Sequence, residues 1–285
     1  VLCCSTQFIQ KSRIRNEETF NITMSSTGNS DAAAVAKPPL PQDINCKDST
    51  LDVEYWAFRW QHEYTGWHEK SGNKLMWDYM NTEYLKTVKD PAAIKVFVPL
   101  CGKTQDMFML YKLGFTVVGI EYAPKAIEEF FAENDITTQA NPKFGSDEKA
   151  YTAGEDGRMI IGQGDLFTFT PENLPHTEYD IIWDRGSLEA LNLADREKYA
   201  NLLVSMLKSD GVYLIDSKDY DVTQYGGPPL KANADDIQKL VGDRCSVQEV
   251  SRKDLLSPDN PSREKWMKKG ITNYMFEILH LVKKL

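Results

Sequence analysis

From Ile94 to the end of the chain, short runs of apolar and β-branched residues alternate with segments of helical periodicity. The runs that predict strands are IKVFVPL, FTVVGIE, MIIGQGD, YDIIWD, GVYLID, CSVQEV and YMFEILHLV. Continuous apolar strands separated by helices predict a mostly parallel sheet with helices on both faces. The chain is therefore predicted to be an α/β protein. Its ligand should lie beyond the carboxyl ends of the strands.

The first fifty residues differ in composition from the rest of the chain. The stretch MSSTGNSDAAAVAKPPLPQD is rich in Ser, Ala and Pro and has no periodicity, so residues 1–50 are predicted to be a disordered tail. Two readings of residues 1–23 stay open: sequence upstream of a start at Met24, or a presequence carrying Lys11, Arg13 and Arg15. Residues 51–285 are predicted to form one domain. This domain begins with two amphipathic helices, in LDVEYWAFRWQHEY and LMWDYMNTEYLKTV.

The charge balance narrows the choice of partners. The chain has 42 acidic and 33 basic residues, a net charge of −9. Nucleic acids and anionic membranes attract cationic surfaces, so neither is expected as a partner. The five cysteines lack disulfide-scaffold or zinc-ligand spacing, which favours a cytoplasmic location. The four histidines form no paired spacing, so no metal site is predicted.

A Gly-Lys-Thr sequence follows the first predicted strand and suggests a phosphate-binding P-loop. That loop needs another glycine five residues before the Gly-Lys pair, and Phe97 stands there, inside the strand. The P-loop interpretation therefore fails.

An acidic residue at the tip of the second strand favours nucleoside binding. A carboxylate at Glu121 offers two acceptor oxygens to ribose hydroxyls, although an exposed glutamate at a helix start is the plain alternative. A dinucleotide fingerprint needs three glycines, and the loop PLCGKT offers only Gly102. S-adenosylmethionine fits better, because it carries adenosine and a cationic sulfonium but no phosphate. Aromatic faces from Trp56, Trp60 and Trp67 suit the sulfonium, unless these residues only pack in the core.

The third strand ends in GQGDLF. Asp165 can accept a hydrogen bond from the adenine amino group, and Leu166 can pack on the ring. Alternatively, Asp165 caps a turn or a helix.

Several segments together resemble the thiopurine S-methyltransferase family, from about Trp56 to the end of the chain. They are WAFRWQ…GWHE, VFVPLCGK, VVGIE, GDLF, IIWDRGSLEALN with REKYA, GGPPL and GITNYMFEILHL. The resemblance implies a Rossmann-like class I methyltransferase fold with seven strands, the last one antiparallel. It also implies S-adenosylmethionine as cofactor, a small-molecule thiol as substrate, and a monomer.

The resemblance carries over to individual positions. The residues expected around the cofactor are Trp56, Trp60, Trp67, Leu100, Gly102, Glu121, Asp165, Leu166 and Arg185. Trp67 would also stack on the substrate, in a pocket lined by Pro228 and Pro229. The segment from Glu264 to Lys269 aligns poorly, so basic substrate contacts there stay undecided.

The implied reaction is the transfer of the S-adenosylmethionine methyl group to the sulfur of a heterocyclic thiol, by direct in-line displacement. No covalent nucleophile is needed, and Arg185 is expected to orient the substrate or favour its thiolate; alternatively, it only pairs with carboxylates. Asp184 is a candidate for the methionine ammonium. Three rivals stay open: a methyltransferase of the same fold that acts on small thiols, hydrosulfide or halide; a non-catalytic binding protein; and a nicotinamide oxidoreductase.

Overall fold

The computed structural model describes residues 51–139, 142–143 and 150–285. The predicted disordered tail over residues 1–50 lies outside these described residues. Within them, no helix combines the length and the hydropathy that crossing a bilayer requires.

The strands match the predicted apolar runs, with one addition. They are β1 (Lys95–Val98), β2 (Thr116–Glu121), β3 (Ala150–Ala153), β4 (Met159–Gln163), β5 (Tyr179–Arg185), β6 (Leu207–Tyr220), β7 (Cys245–Asp254) and β8 (Met275–Lys284). The addition is β3, which lies in a polar segment without a strand-like apolar run. Its position is explained by antiparallel pairing with β4, which makes β3 the edge strand of the sheet.

One sheet contains all eight strands in the order β3-β4-β2-β1-β5-β6-β8-β7. The pairs from β4 to β6 are parallel, and β8 runs antiparallel to both of its neighbours. The prediction of a mostly parallel sheet with an antiparallel last strand is confirmed. The carboxyl ends of β2, β1, β5 and β6 consequently meet at one edge.

Helices cover both faces of this sheet. They are α1 (Val53–Gln61), α2 (Lys74–Tyr79), α3 (Gln105–Lys112), α4 (Pro124–Glu133), α5 (Arg196–Met206), α6 (Ala234–Val241) and α7 (Arg263–Lys268). One apolar core contains side chains of α2, α3 and α4. The other core contains side chains of α5 and α6 on the opposite face. The predicted two-sided packing is therefore present.

Local chemistry explains where the helices begin. Asp52 and Asn73 accept backbone N–H bonds at the starts of α1 and α2, and Thr104 does so at the start of α3. The helix predicted over LADREKYANLLVSMLKSDG is shorter than expected, because α5 ends at Met206. Leu207 already pairs with Tyr179 of β5, so tertiary pairing overrides helical periodicity there.

Asp184 at the end of β5 faces the core. Its carboxylate is fully buried and accepts hydrogen bonds from the hydroxyls of Tyr199 (2.7 Å) and Tyr213 (2.8 Å). Burial raises the pKa of the Asp184 carboxyl, and these hydrogen bonds oppose that rise. The suggested contact with a methionine ammonium is therefore not supported, because the side chain is committed to α5 and β6.

We predict that Tyr199→Phe lowers the free energy of unfolding by about 1–3 kcal/mol, because a buried carboxylate loses a donor. Tyr111→Phe is the matched control, since its hydroxyl bonds the surface carboxylate of Asp156 at 2.8 Å. It should cost less than about 0.5 kcal/mol in urea denaturation. Equal losses in the two variants would contradict a structural role for Asp184.

Candidate active site

A buried carboxylate joins the ends of the first two strands. One oxygen of Glu121, the last residue of β2, accepts the N–H of Gly102 at 2.8 Å. The other accepts the N–H of Ala123 at 2.7 Å. Burial raises the pKa of the Glu121 carboxyl, and the backbone donors offset part of that rise. Each oxygen retains a lone pair, so the carboxylate can still accept hydroxyl groups from a ligand.

The loop after β1 makes a close backbone approach at Gly102. Leu100 and Gly102 both have positive φ, 42° and 53°, which turns the chain sharply above the strand. A Cβ on Gly102 would lie 2.8 Å from the Trp60 ring. This position therefore requires glycine for its backbone conformation as well as for space.

Lys103 does not serve a phosphate. Its ammonium pairs with Glu129 at 2.7 Å and with Glu133 at 2.6 Å, both on α4. These contacts agree with the rejection of a P-loop, whose lysine would point at a phosphate.

Among the three predicted tryptophans, Trp67 contacts both of the others. The Trp67 ring meets Trp56 edge-on at 5.3 Å and Trp60 at 5.9 Å between centroids. Trp60 is buried against α4, whereas Trp56 and Trp67 remain half-buried. The guanidinium of Arg59 lies 4.5 Å from the Trp67 centroid. Sequence reasoning missed Arg59; its place one residue before Trp60 on an aromatic-rich helix was the available signal.

Arg185 connects residues 56–69, which carry the three tryptophans and are called the aromatic segment below, to the sheet. It donates to the Trp67 carbonyl at 2.7 Å and pairs with Glu69 at 2.8 Å. Its Nε lies 4.0 Å from an oxygen of Asp216 on β6. Burial alone would lower the pKa of the guanidinium, but Glu69, Asp216 and other nearby carboxylates raise it. Arg185 therefore remains a fixed cation, and it makes the carboxylate pairs that were the alternative interpretation.

The residues after β4 form a turn capped by Asp165, which was the alternative interpretation of this residue. Asp165 is half-exposed and accepts the N–H of Phe167 at 2.9 Å, which caps a short 3-10 turn. Leu166 is buried within the core. A second oxygen of Asp165 is still available for a ligand, so the cap and an adenine contact are compatible.

The proline segment packs beside the last strands. The carbonyl of Pro228 accepts from the Tyr225 hydroxyl, and that of Pro229 accepts from Tyr220 at 2.7 Å. The next residue, Leu230, donates its N–H to the carbonyl of Glu189 at 2.8 Å. The segment after β5 and the proline segment are thus tied together.

Two basic residues of the poorly aligned region contact segments assigned to the site, since Lys269 donates to the Tyr225 hydroxyl at 2.9 Å and Lys265 reaches Gly66. Lys265 of α7 donates to the carbonyl of Gly66 at 3.2 Å. Gly66 precedes Trp67, so this lysine reaches the same aromatic segment as Arg185.

These groups fit S-adenosylmethionine. Glu121 would accept the ribose hydroxyls, and the loop at Leu100 and Gly102 allows the ligand to approach the backbone. Tryptophan faces and carbonyl oxygens suit a sulfonium cation. No set of backbone N–H groups forms a phosphate cradle in the described loop PLCGKT, which agrees with a phosphate-free nucleoside.

We predict that Gly102→Ala destabilises the protein by about 1–2 kcal/mol, because a side chain is strained at positive φ. The displaced Trp60 should also weaken the binding of S-adenosylhomocysteine, measured by calorimetry. Gly66→Ala is the control, since its Cβ would meet nothing within 4 Å. Unchanged affinity in Gly102→Ala would show that the loop does not approach the ligand.

Comparison with known families agrees with this geometry. The family model described as thiopurine S-methyltransferase matches residues 51–278. A probable thiopurine S-methyltransferase of Danio rerio is 34% identical over 235 residues, which cover 82% of this chain and 96% of that protein. The thiopurine S-methyltransferase of Bos taurus is 31% identical over 216 residues, 76% of this chain and 86% of that protein.

A solved structure supports the fold independently. An S-adenosylmethionine-dependent methyltransferase from Anabaena variabilis superposes with a TM-score of 0.54 at 16% identity. The match covers 83% of this chain and 98% of that one. The architecture is therefore that of a class I methyltransferase.

Proposed function

The chain belongs to the thiopurine S-methyltransferase family, and from that premise we propose which residues of its site perform the reaction. The protein is an S-adenosylmethionine-dependent enzyme that methylates the sulfur of aromatic and heterocyclic thiols such as thiopurines. Family membership favours this activity over the small-thiol, halide, non-catalytic and nicotinamide alternatives. The observation that carries the site assignment is the buried carboxylate of Glu121 at the end of β2, which accepts the backbone N–H of Gly102.

The cofactor supplies an electrophilic methyl group on a sulfonium. The chain needs no covalent nucleophile, because the acceptor sulfur itself attacks the methyl carbon in line. The contribution of the protein is to align the two sulfur atoms and to exclude water, and such positioning can lower a barrier by about 7–11 kcal/mol.

Cofactor binding is assigned to one side of the site. Glu121 accepts the ribose hydroxyls, Asp165 accepts the adenine amino group, and Leu166 borders the ring. The backbone at Leu100 and Gly102 lies against the amino-acid part of the ligand. Trp56 and Trp60 close the site from the amino-terminal helix, where edge-on contacts with Trp67 hold them together.

Acceptor binding is assigned to the other side. Trp67 stacks on the flat heterocycle, and Pro228 and Pro229 line the same pocket. Arg185 orients the acceptor and stabilises its thiolate, since its charge is fixed and 17% of its side chain is exposed. Its salt bridge with the exposed Glu69 can rearrange when an anionic acceptor binds, because surface ion pairs are weak.

The cellular setting belongs to the same proposal. We infer a cytoplasmic monomer that acts on a small molecule rather than on nucleic acid or a membrane. The net charge of −9 supports this setting, as do the unpaired thiols of Cys101 and Cys245, which are both buried.

We predict transfer of labelled methyl from S-adenosylmethionine to 6-mercaptopurine by the wild-type protein. Glu121→Gln should raise the cofactor KM by about 10-fold to 100-fold, because a hydrogen bond to a charged group is lost. Glu128→Gln is the matched control, since it removes the same charge from an exposed position on α4. It should leave the cofactor KM unchanged.

Two outcomes would contradict the proposal. Absence of transfer despite cofactor binding would contradict the acceptor class. Transfer with an unchanged cofactor KM in Glu121→Gln would contradict the ribose assignment.

A further inference from the structure

A cluster of buried charges lies behind Arg185. Lys218 of β6 is 8% exposed, and three carboxylates surround its ammonium. Its Nζ lies 2.9 Å from Asp216, 3.2 Å from Glu277 and 4.0 Å from Glu189. An unpaired buried charge is very unfavourable, so each member of such a cluster needs a partner.

Two of the three carboxylates are fully engaged. Asp216 accepts from Lys218 with one oxygen and from the side-chain amide of Asn73, at 2.8 Å, with the other. Glu277 pairs with Lys218 through one oxygen and with Lys253, at 3.6 Å, through the other. Both side chains therefore have evident structural roles.

Glu189 differs from both. It is only 4% exposed, and its nearest ion-pair contact is the 4.0 Å separation of Oε2 from Lys218. Its Oε1 has no hydrogen-bond partner among the described residues. A buried carboxylate oxygen without a donor is rare and costly in native proteins, and a catalytic role is one of the recognised reasons for it.

The position of Glu189 matches the acceptor side of the site. It stands four residues after Arg185, on the segment that leaves the end of β5. Its own carbonyl accepts the N–H of Leu230, the residue that follows Pro228 and Pro229. Residue Glu189 thus lies on the connection between the two groups assigned to the acceptor.

We propose that Glu189 is the catalytic base for acceptors whose thiol is protonated, with Oε1 receiving the S–H proton. This inference rests on the proposed function. The S–H bond breaks as its proton passes to the Glu189 carboxylate, and its electron pair stays on sulfur. That sulfur then forms a bond to the methyl carbon as the sulfonium–methyl bond breaks. The products are the methyl thioether, S-adenosylhomocysteine and a proton, which the carboxyl group returns to water.

The electrostatic surroundings suit a base. Burial raises the pKa of the Glu189 carboxyl; Lys218 and Arg185 oppose the rise, whereas Asp216 and Asp184 add to it. A raised pKa makes the ionised carboxylate a better proton acceptor near neutral pH. The charged groups that face it come from β5, β6 and α5, namely Asp184, Arg185, Asp216, Lys218 and Arg196.

The test compares two acceptors of similar size. 4-Nitrobenzenethiol is ionised at neutral pH, whereas phenylmethanethiol, an alkyl thiol like the cysteine side chain, is mostly protonated. Glu189→Gln should lower kcat/KM for phenylmethanethiol by about 100-fold, the usual contribution of general base catalysis. For 4-nitrobenzenethiol the change should stay within about 3-fold, since no proton has to be removed.

The pH profile gives a second readout. With phenylmethanethiol, wild-type kcat/KM should rise as Glu189 ionises, at a pH above the ordinary range of a glutamate. This rise of kcat/KM with pH should be absent in Glu189→Gln and present in Glu189→Asp, which keeps a carboxylate. Calorimetry on the complex with S-adenosylhomocysteine should show phenylmethanethiol bound about 10-fold more weakly by Glu189→Gln, because a hydrogen bond to a charged group is lost.

Glu277→Gln is the matched control, because it removes a carboxylate of the same cluster that is already paired. Any effect of it should be equal for the two acceptors. Three results would overturn the proposal: equal losses on both acceptors in Glu189→Gln, no loss on either, or no wild-type turnover of phenylmethanethiol. Failure of the wild type on both thiols and on 6-mercaptopurine would instead reject the proposed function.

Thermal denaturation and S-adenosylhomocysteine affinity verify that Glu189→Gln is folded. If it is not folded, Glu189→Asp is the deciding variant, and absence of its rise in kcat/KM with pH overturns the proposal.

Discussion

The Glu121 carboxylate accepts backbone N–H groups from the loop after β1 and from the start of α4. One buried side chain at the end of β2 therefore holds these two segments together. A backbone hydrogen bond from the N–H of Cys101 to the carbonyl of Ile120, at 2.9 Å, joins the same two strand ends. Because Gly102 has no side chain, Trp60 can pack directly over this junction. The loop at Gly102 and the packing of Trp60, both assigned to the cofactor in the proposal, therefore depend on the same contact.

A second buried carboxylate, that of Asp106, binds α2 to the sheet. Asp106 accepts the N–H of Asn73 at 2.8 Å, the indole N–H of Trp77 at 2.9 Å and that of Trp183 at 3.0 Å. These bonds join α2, α3 and β5. Arg185, which follows Trp183 and Asp184 on β5, also binds the carbonyl of Trp67 in the aromatic segment. The aromatic segment is thus attached to the sheet by a buried contact, while its Glu69 contact lies at the surface.

Periodicity and strand-end logic anticipated much of this arrangement. Continuous apolar runs located the parallel strands, and an acidic residue at a strand tip identified Glu121. Side-chain direction could not be obtained in the same way. Asp184 and Arg185 are neighbours at one strand end, yet one faces the core and the other faces the site. Alternation along a strand makes such a division expected, but it does not say which residue takes which side.

Contacts between distant segments were also beyond the sequence. Glu189 belongs to no recognisable motif, and Lys218, its ion-pair partner at 4.0 Å, lies closer to Asp216 and Glu277 than to Glu189. The edge strand β3 follows from pairing with β4 rather than from its own composition. Arg59 packs on Trp67 through a turn that brings the two together. Each of these features depends on tertiary packing.

The most direct test of the account is a double-mutant cycle on the ribose contact. Calorimetry would compare S-adenosylhomocysteine with its 2′-deoxyribose analogue, on the wild type and on Glu121→Gln. The account predicts that loss of the hydroxyl costs the wild type about 1.5–3 kcal/mol, as for a hydrogen bond to a charged group, and costs the variant much less. An equal penalty in both proteins would show that Glu121 does not bind the ribose, and the central assignment would be wrong.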